Sequence, residues 1–290
     1  DEVLDEVEEN SYRQRLWSLG TEAEWEVAGG SGGGKPPTRV TVGLAVDGAD
    51  PPEPGDNPAV GTIWDWGGRL GFTTFLGRDD LLLHGSFGRR TRFPALRELY
   101  SGALGRFIPN PDLKPEVLTG GELGFTLTRK NLELQAVGFY QSLADGIVRS
   151  SVSTPEGKKY KRINQNKVRS RGLELLASGT LGVVGWSGDL TLQRARGITA
   201  DGDEIKLEYE PGVAGKATAR FPLPLRLQVG ATGRYMGDQY CENPEVGGLE
   251  AFGSSQHLDL SLARVFPFAS GAFNQLEALL SLDNATDSVV

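Results

Sequence analysis

What this sequence has little of narrows its possibilities first. No apolar run approaches the roughly 20 residues that a transmembrane helix needs, so helical membrane spans are excluded. Transmembrane strands are not. Such a strand takes only about 9–11 residues, with alternate side chains facing an aqueous interior, and its mean hydropathy can match that of a soluble protein. A single cysteine, Cys241, rules out an internal disulfide framework and a cysteine-based zinc cluster. The two histidines, His84 and His257, lie too far apart to form a local ligand pair, and each sits on an alternating segment, where a polar interior-facing role is expected. The formal charge of -8 argues against a nucleic-acid surface. No basic segment followed by an apolar stretch opens the chain, so it reads as a piece of a longer protein whose signal peptide lies outside it. Its first residues, 1–9, form an acidic run expected to be an exposed loop or frayed end.

Chemistry-bearing motifs are equally scarce. Gly29 to Lys35 superficially fits a phosphate loop, but Pro36 replaces the required Ser or Thr and a strand pattern follows where a helix is needed. Met236 and Cys241 could approach a soft metal, although loop packing accounts for them as well. Asn284-Ala285-Thr286 matches a glycosylation acceptor and reads as a turn. No Ser-His-Asp ordering, nucleophile elbow or metal-binding helix motif stands out. Neither catalysis nor a bound cofactor is expected.

What is present is period-two alternation with turn chemistry between segments. It runs through Glu22-Ala23-Glu24-Trp25-Glu26-Val27, residues 39–46, 69–76, 81–89, 122–128 and 131–136. It returns in residues 173–175, 189–193, 216–221, 225–231, 257–262 and 275–282. About twelve antiparallel strands are predicted, joined alternately by short turns, such as Arg129-Lys130 and residues 221–224, and by long connections, such as residues 47–63 and 194–208. Short turns on one rim and long loops on the other is the layout of a transmembrane β-barrel. Trp17, Trp25, Trp64, Trp66, Trp186, Phe93, Tyr100, Phe221, Tyr235, Tyr240, Phe266 and Phe268 fall near predicted strand ends, as an interfacial aromatic girdle would. Glu22, Glu24, Glu26, Glu122, Glu133, Glu174, Asp189 and Glu277 fall opposite the apolar faces, toward the expected lumen. A soluble sandwich alternates too, and a soluble carbohydrate-binding β-domain stays open on periodicity alone.

Two linked motifs add to this. Arg92-Phe93-Pro94-Ala95-Leu96-Arg97-Glu98-Leu99-Tyr100 is followed by Asn110-Pro111-Asp112-Leu113-Lys114-Pro115-Glu116 and then by an alternating strand. Downstream come Tyr140 with the step Asp145-Gly146-Ile147, then Asn164, then Gly172-Leu173-Glu174-Leu175, Tyr209-Glu210-Pro211, and Asn284-Ala285-Thr286-Asp287. In this order they resemble the barrel of the TonB-dependent outer-membrane receptor family, over nearly the whole chain. The resemblance implies an all-β fold, part of a barrel of about 22 strands around a plugged lumen, with residues 1–290 as one partial barrel domain. The plug, the TonB-contacting segment and the last strand are expected to lie outside the sequence, which reads as ending just after the turn at Asp287.

The function implied by the resemblance is receptor-mediated uptake across the outer membrane of a Gram-negative bacterium, without covalent chemistry. The cargo would be a scarce solute: first a ferric siderophore, then a related metal chelate or cobalamin. The implied partners are the TonB–ExbB–ExbD system acting through the plug, the extracellular chelate or vitamin, and lipopolysaccharide with outer-membrane lipid. Loops at residues 47–63, 100–116, 150–159, 198–209 and 240–255 would form the solute-binding mouth. Arg89, Arg90, Arg92 and Arg106 are candidates for attracting an anionic chelate, with lipopolysaccharide contact and pairing to lumen carboxylates as alternatives. A passive porin is the competing membrane reading.

Overall fold

The computed structural model describes residues 11–28, 36–55, 60–77, 79–102, 105–199, 201–242, 248–267 and 274–287; the acidic opening run, the Gly29–Lys35 segment and Phe268 lie outside them. The strands, in chain order, are β1 (Tyr12–Ala28), β2 (Thr38–Pro54), β3 (Ile63–Phe75), β4 (Leu81–Arg92), β5 (Phe107–Ile108), β6 (Glu116–Arg129), β7 (Leu132–Thr154) and β8 (Gly157–Leu181). They continue with β9 (Val184–Ile198), β10 (Glu204–Ile205), β11 (Val213–Leu223), β12 (Leu227–Met236), β13 (Gln239–Glu242), β14 (Leu249–Phe252), β15 (Ser255–Pro267) and β16 (Gln275–Leu282). A five-residue helix, α1 (Leu96–Tyr100), lies between β4 and β5.

The main strands form an antiparallel meander in the order β1-β2-β3-β4-β6-β7-β8-β9-β11-β12-β15-β16, so the expected twelve-strand sheet is present. Among the described residues, β1 and β16 stand at the two ends of this order. The short elements sit in connections: β5 runs parallel to β8, β10 pairs with β9, and β13 pairs with β14.

The register shows why alternation survives across the whole sheet. Val42, Leu70 and Phe87 lie side by side on β2, β3 and β4. On the same face Leu123, Gly138, Leu173, Leu192 and Val213 form a second row through β6 to β11, and Ala219, Ala231, Leu260 and Leu282 a third through β11 to β16. One face of the sheet is therefore an unbroken apolar belt. Among the described residues nothing covers it: Leu70 is 50% exposed, Phe87 56%, Leu123 57% and Leu280 69%. A soluble sandwich would bury such a row against a second sheet.

The opposite face collects the charged set. Glu24 lies opposite Thr41, Glu122 opposite Ser86, Glu133 opposite Ser178, Glu174 opposite Thr191, and Asp189 opposite Lys216. Glycines on both faces accommodate aromatic rings from the next strand. A Cβ at Gly48 would stand 1.9 Å from the Trp17 ring, and one at Gly85 would stand 2.6 Å from Phe72. Ring-over-glycine packing of this kind pins strand register where a larger residue would push the strands apart.

The rims differ as the sequence predicts. Residues 130–131, 182–183 and the 3₁₀ turn Pro224–Arg226 close one rim. The connections carrying α1 and β5, β10, and the β13–β14 hairpin all lie on the other. On the apolar face Trp25, Trp186, Phe221 and Phe266 lie toward the short-turn rim, and Trp64, Trp66, Tyr140 and Tyr235 toward the long-loop rim.

Several expectations are corrected in detail. Residues 47–63 are not one long loop, because β2 extends to Pro54. Residues 150–159 are the end of a hairpin whose strands, β7 and β8, run past the rest of the sheet, and residues 240–255 contain the β13–β14 hairpin. Tyr100 does not join the girdle: it is 3% exposed inside the connection after β4.

Candidate functional site

The Arg-Phe-Pro and Asn-Pro motifs fold into one brace on the long-loop rim. At the end of β4, Arg92 bonds the carboxylates of Glu98 on α1, at 2.9 Å, and of Glu116 at the start of β6. Glu98 Oε2 also accepts the Ala95 N–H at 2.9 Å, which caps α1, and Glu116 Oε1 accepts the Ile147 N–H of β7 at 2.6 Å. Burial pushes the Glu98 carboxyl up, but the hydrogen bonds from Arg92 and the Ala95 N–H, with the charges of Arg92 and Arg162, outweigh it and leave Glu98 below its ordinary value.

The second motif ties the same loop to β7 and β8. The Asn110 N–H donates to the Leu99 carbonyl at 2.7 Å and its side chain donates to the Arg162 carbonyl at 2.8 Å. Asn164 Oδ1 accepts the Lys114 N–H, while its amide donates to the carbonyls of Lys114 and of Asp145, at 2.7 Å for the latter. Asp145 has φ +54°, a left-handed kink that aims its carbonyl at Asn164. Leu99, Tyr100 and Leu113, each 2–3% exposed, form a small core beneath, packed by Val60, Leu96 and Ile147. Pro94 accepts a hydrogen bond from Gln14 of β1 at 2.9 Å, and Tyr100 stacks on Tyr12 with centroids 6.2 Å apart. Pro111 and Pro115 flank the extended link into β6, and Phe93 carries the chain off β4. The brace therefore links β1, β4, β6, β7 and β8.

The other motif residues have separate tasks. Gly172 lies under the Phe139 ring, and Glu174 stands on the polar face opposite Thr191. Asn284 and Asp287 take φ +51° and +48° in the turn after β16, where the Asn284 N–H donates to Asp259 Oδ1 at 3.0 Å.

The four candidate ligand-attracting arginines are not brought together. Arg89 is held by Asp65, at 3.0 Å, and lies 4.5 Å over the Trp66 ring. Arg92 is engaged in the brace. Arg106 is exposed, and its carbonyl accepts the Tyr160 N–H. Arg90 differs: it lines a cleft of about 420 Å³ on the polar face with Thr41, Arg69, Ser86, Glu122 and Gln141. There Arg69 pairs with Glu22, Ser86 donates to Glu122 at 3.1 Å, and Arg90 makes no ion pair among the described residues. Sequence reasoning missed a second rim cluster, in which Arg149 lies 4.7 Å over Tyr160, Tyr160 packs on Phe107, and Arg162 lies 5.6 Å over Phe107.

No metal centre assembles among the described residues. His84 meets Gln135 at 3.5 Å, and His257 is on β15. The Met236 sulfur accepts a hydrogen bond from Gln239, while Cys241 sits on β13.

Comparison with curated proteins returns no match. Among solved structures the fold is similar to a copper transporter, OprC (TM-score 0.73, 18% identity, 95% of this chain and 42% of that one). It is also similar to the FrpB iron transporter from Neisseria meningitidis (0.70, 17%, 95% and 42%). A third likeness is to a mutant of the ferric enterobactin receptor PfeA from Pseudomonas aeruginosa (0.59, 16%, 94% and 49%). At these identities the likeness shows the fold, and the chain spans less than half the length of each. The family model described as TonB dependent receptor-like, beta-barrel matches residues 7–282. The chain belongs to the TonB-dependent receptor β-barrel family.

Proposed function

We propose that this chain is the barrel part of an outer-membrane receptor that takes up a scarce solute with energy delivered by the TonB–ExbB–ExbD system through a plug domain. A ferric siderophore is the first candidate cargo, with a related metal chelate or cobalamin behind it. The observation that carries this reading is the sheet's division, among the described residues, into an uncovered apolar belt and a polar face, with the connections that hold α1 and β5, β10 and the β13–β14 hairpin all on one rim. In a bilayer the belt faces lipid, the polar face lines the lumen, and the long-loop rim is extracellular. The copper, iron and ferric enterobactin proteins with this fold support a metal or metal-chelate cargo. Arg90, which makes no ion pair among the described residues, offers an anionic chelate a cation in the polar-face cleft.

The test is uptake of radiolabelled ferric chelates and cobalamin by cells carrying the full-length receptor, with and without TonB. Accumulation that stops when TonB is removed supports the proposal. Accumulation that persists would indicate a passive porin.

A further inference from the structure

The β7–β8 hairpin runs past its neighbours, and one of its edges is bare. β6 pairs with β7 only as far as Ala144, whereas β8 pairs with it out to Thr154 opposite Gly157. The Tyr160 N–H turns away from β7 to the Arg106 carbonyl, and the Arg162 carbonyl turns the same way to the Asn110 side chain. In an antiparallel ladder two residues directly opposite either both bond across or both turn away. Arg149, opposite Arg162, and Ser151, opposite Tyr160, therefore turn their N–H and C=O groups outward, and Ser153 does so by alternation. Ile147 belongs to the same set, and Glu116 caps its outward N–H. Among the described residues nothing bonds the outward backbone groups of Arg149, Ser151 and Ser153. Val148 to Thr154 hold no proline and a single charge, so little on this strand blunts its edge, and an unpaired edge is a template for a further strand.

The side chains beside this edge state what that strand should carry. Arg149 lies opposite Arg162, Ser151 opposite Tyr160 and Ser153 opposite Lys158, so one face of the hairpin holds two arginines and a lysine. Arg149 is exposed, lies 4.7 Å over the Tyr160 ring and forms no ion pair among the described residues. Like charges directly opposite on a sheet destabilise it, and a carboxylate beside Arg149 would relieve the pair. The other face sets Val148 and Val152 beside Ile163 and Lys159. Over residues 148–163 five cations stand against one carboxylate, Glu156, which Lys159 already holds. That excess opposes a second copy of the same edge and favours an acidic strand.

We propose that the outward edge of β7, residues 148–154, takes up an extended acidic segment of a partner protein as an added strand, with its carboxylates beside Arg149 and β-branched residues beside Val148 and Val152. Alternate side chains of an added strand fall on opposite faces, so the pattern it reads is acid and β-branched residue in turn. Main-chain pairing recognises a polypeptide and not a chelate, and the site does not rest on the uptake reading.

The experiment is fluorescence anisotropy of labelled Thr-Val-Glu-Val-Glu-Val-Thr with the full-length receptor in detergent. The wild type should bind this peptide and bind its lysine-for-glutamate counterpart about tenfold more weakly. N-methylation of alternate residues, in two complementary sets, should abolish binding for one set and spare it for the other. Ser151→Pro removes an outward N–H that an edge strand can do without, so the barrel should stay heat-modifiable while peptide affinity falls about tenfold. Arg149→Gln, which alters no backbone group, should also weaken binding about tenfold. No binding by the wild type, or equal binding of the two N-methylated peptides, would overturn the proposal. So would a loss in Arg149→Gln with none in Ser151→Pro, which would leave an anion site without strand pairing. A wild-type dimer that Ser151→Pro dissolves would assign the edge to a second copy instead, and tighter peptide binding after deletion of residues 1–9 would assign it to the chain's own acidic run.

Discussion

The ring of Phe139 on β7 lies over Gly172 of β8, so that a Cβ at position 172 would stand 2.7 Å from Phe139 Cζ and 2.3 Å from the Leu192 carbonyl oxygen. The glycine of the Gly-Leu-Glu-Leu motif thus has a packing cause: Phe139 fits on the polar face because position 172 of the next strand has no side chain.

Gly172→Ala should therefore force β7, β8 and β9 apart locally. The expected cost is about 1–3 kcal/mol, the usual range for overpacking a filled site. Urea unfolding of the full-length receptor in detergent, followed by heat-modifiability on gels, measures it. Phe139→Leu combined with Gly172→Ala should recover part of the loss; no recovery would mean that the ring is not what the glycine accommodates.

Arg92→Gln should loosen the rim brace. The guanidinium is half exposed, but its partner carboxylates, Glu98 and Glu116, have side chains only 11% and 13% exposed and would lose their cation. A loss of about 1–2 kcal/mol is expected, moderate because solvent screens the arginine. Protease cleavage between residues 93 and 115 should rise while the barrel core stays intact. Unchanged cleavage would show that the loop is held by the Leu99, Tyr100 and Leu113 cluster alone.

The same brace should be acid-sensitive. Glu98 has its pKa lowered in the folded loop, so the unfolded loop binds the proton more readily. The ion pair's contribution is complete above the ordinary glutamate value of about 4.3 and is lost as pH falls through the depressed folded value. Cleavage of residues 93–115 by an acid-tolerant protease should increase only below about pH 4, and Glu98→Gln should remove much of that dependence.

Replacing residues 199–209 with a short Gly-Ser turn should lower uptake of the cargo and leave membrane insertion unchanged. This segment holds β10 on the long-loop rim, and its Tyr209 N–H donates to the Tyr240 carbonyl of the neighbouring connection at 2.9 Å. Ile198, which is buried, must stay. Radiolabelled uptake with a parallel surface-labelling control separates the two outcomes; full uptake would exclude this loop from the mouth.

Much of the fold was legible because sheet alternation is a local property. Glu22-Ala23-Glu24-Trp25 declares its two faces in four residues, and the register only had to align those faces across strands. Strand ends were harder to read. Asp50 to Pro54 carry three prolines and little apolar character, yet they remain extended because β1 pairs with them from Tyr12 to Arg15. The candidate site was legible as a motif but not as a mechanism. Arg92 reads as a free cation until Glu98 and Glu116 are seen to converge on it from either end of the intervening loop. The residues of the bare β7 edge were visible too, but which of their backbone groups face outward depends on a register that the sequence does not state.

The central claim is that one face of this sheet meets lipid and the other water, and site-directed spin labelling tests it most directly. In a Cys241→Ser background of the full-length receptor, single cysteines replacing Glu174, Leu175, Thr191 and Leu192 would carry nitroxides in bilayers. Labels at 175 and 192 should collide with dissolved oxygen more than with a water-soluble nickel chelate, and labels at 174 and 191 should show the reverse. Loss of that period-two alternation, with Leu175 and Leu192 as accessible to the chelate as their neighbours, would contradict the account.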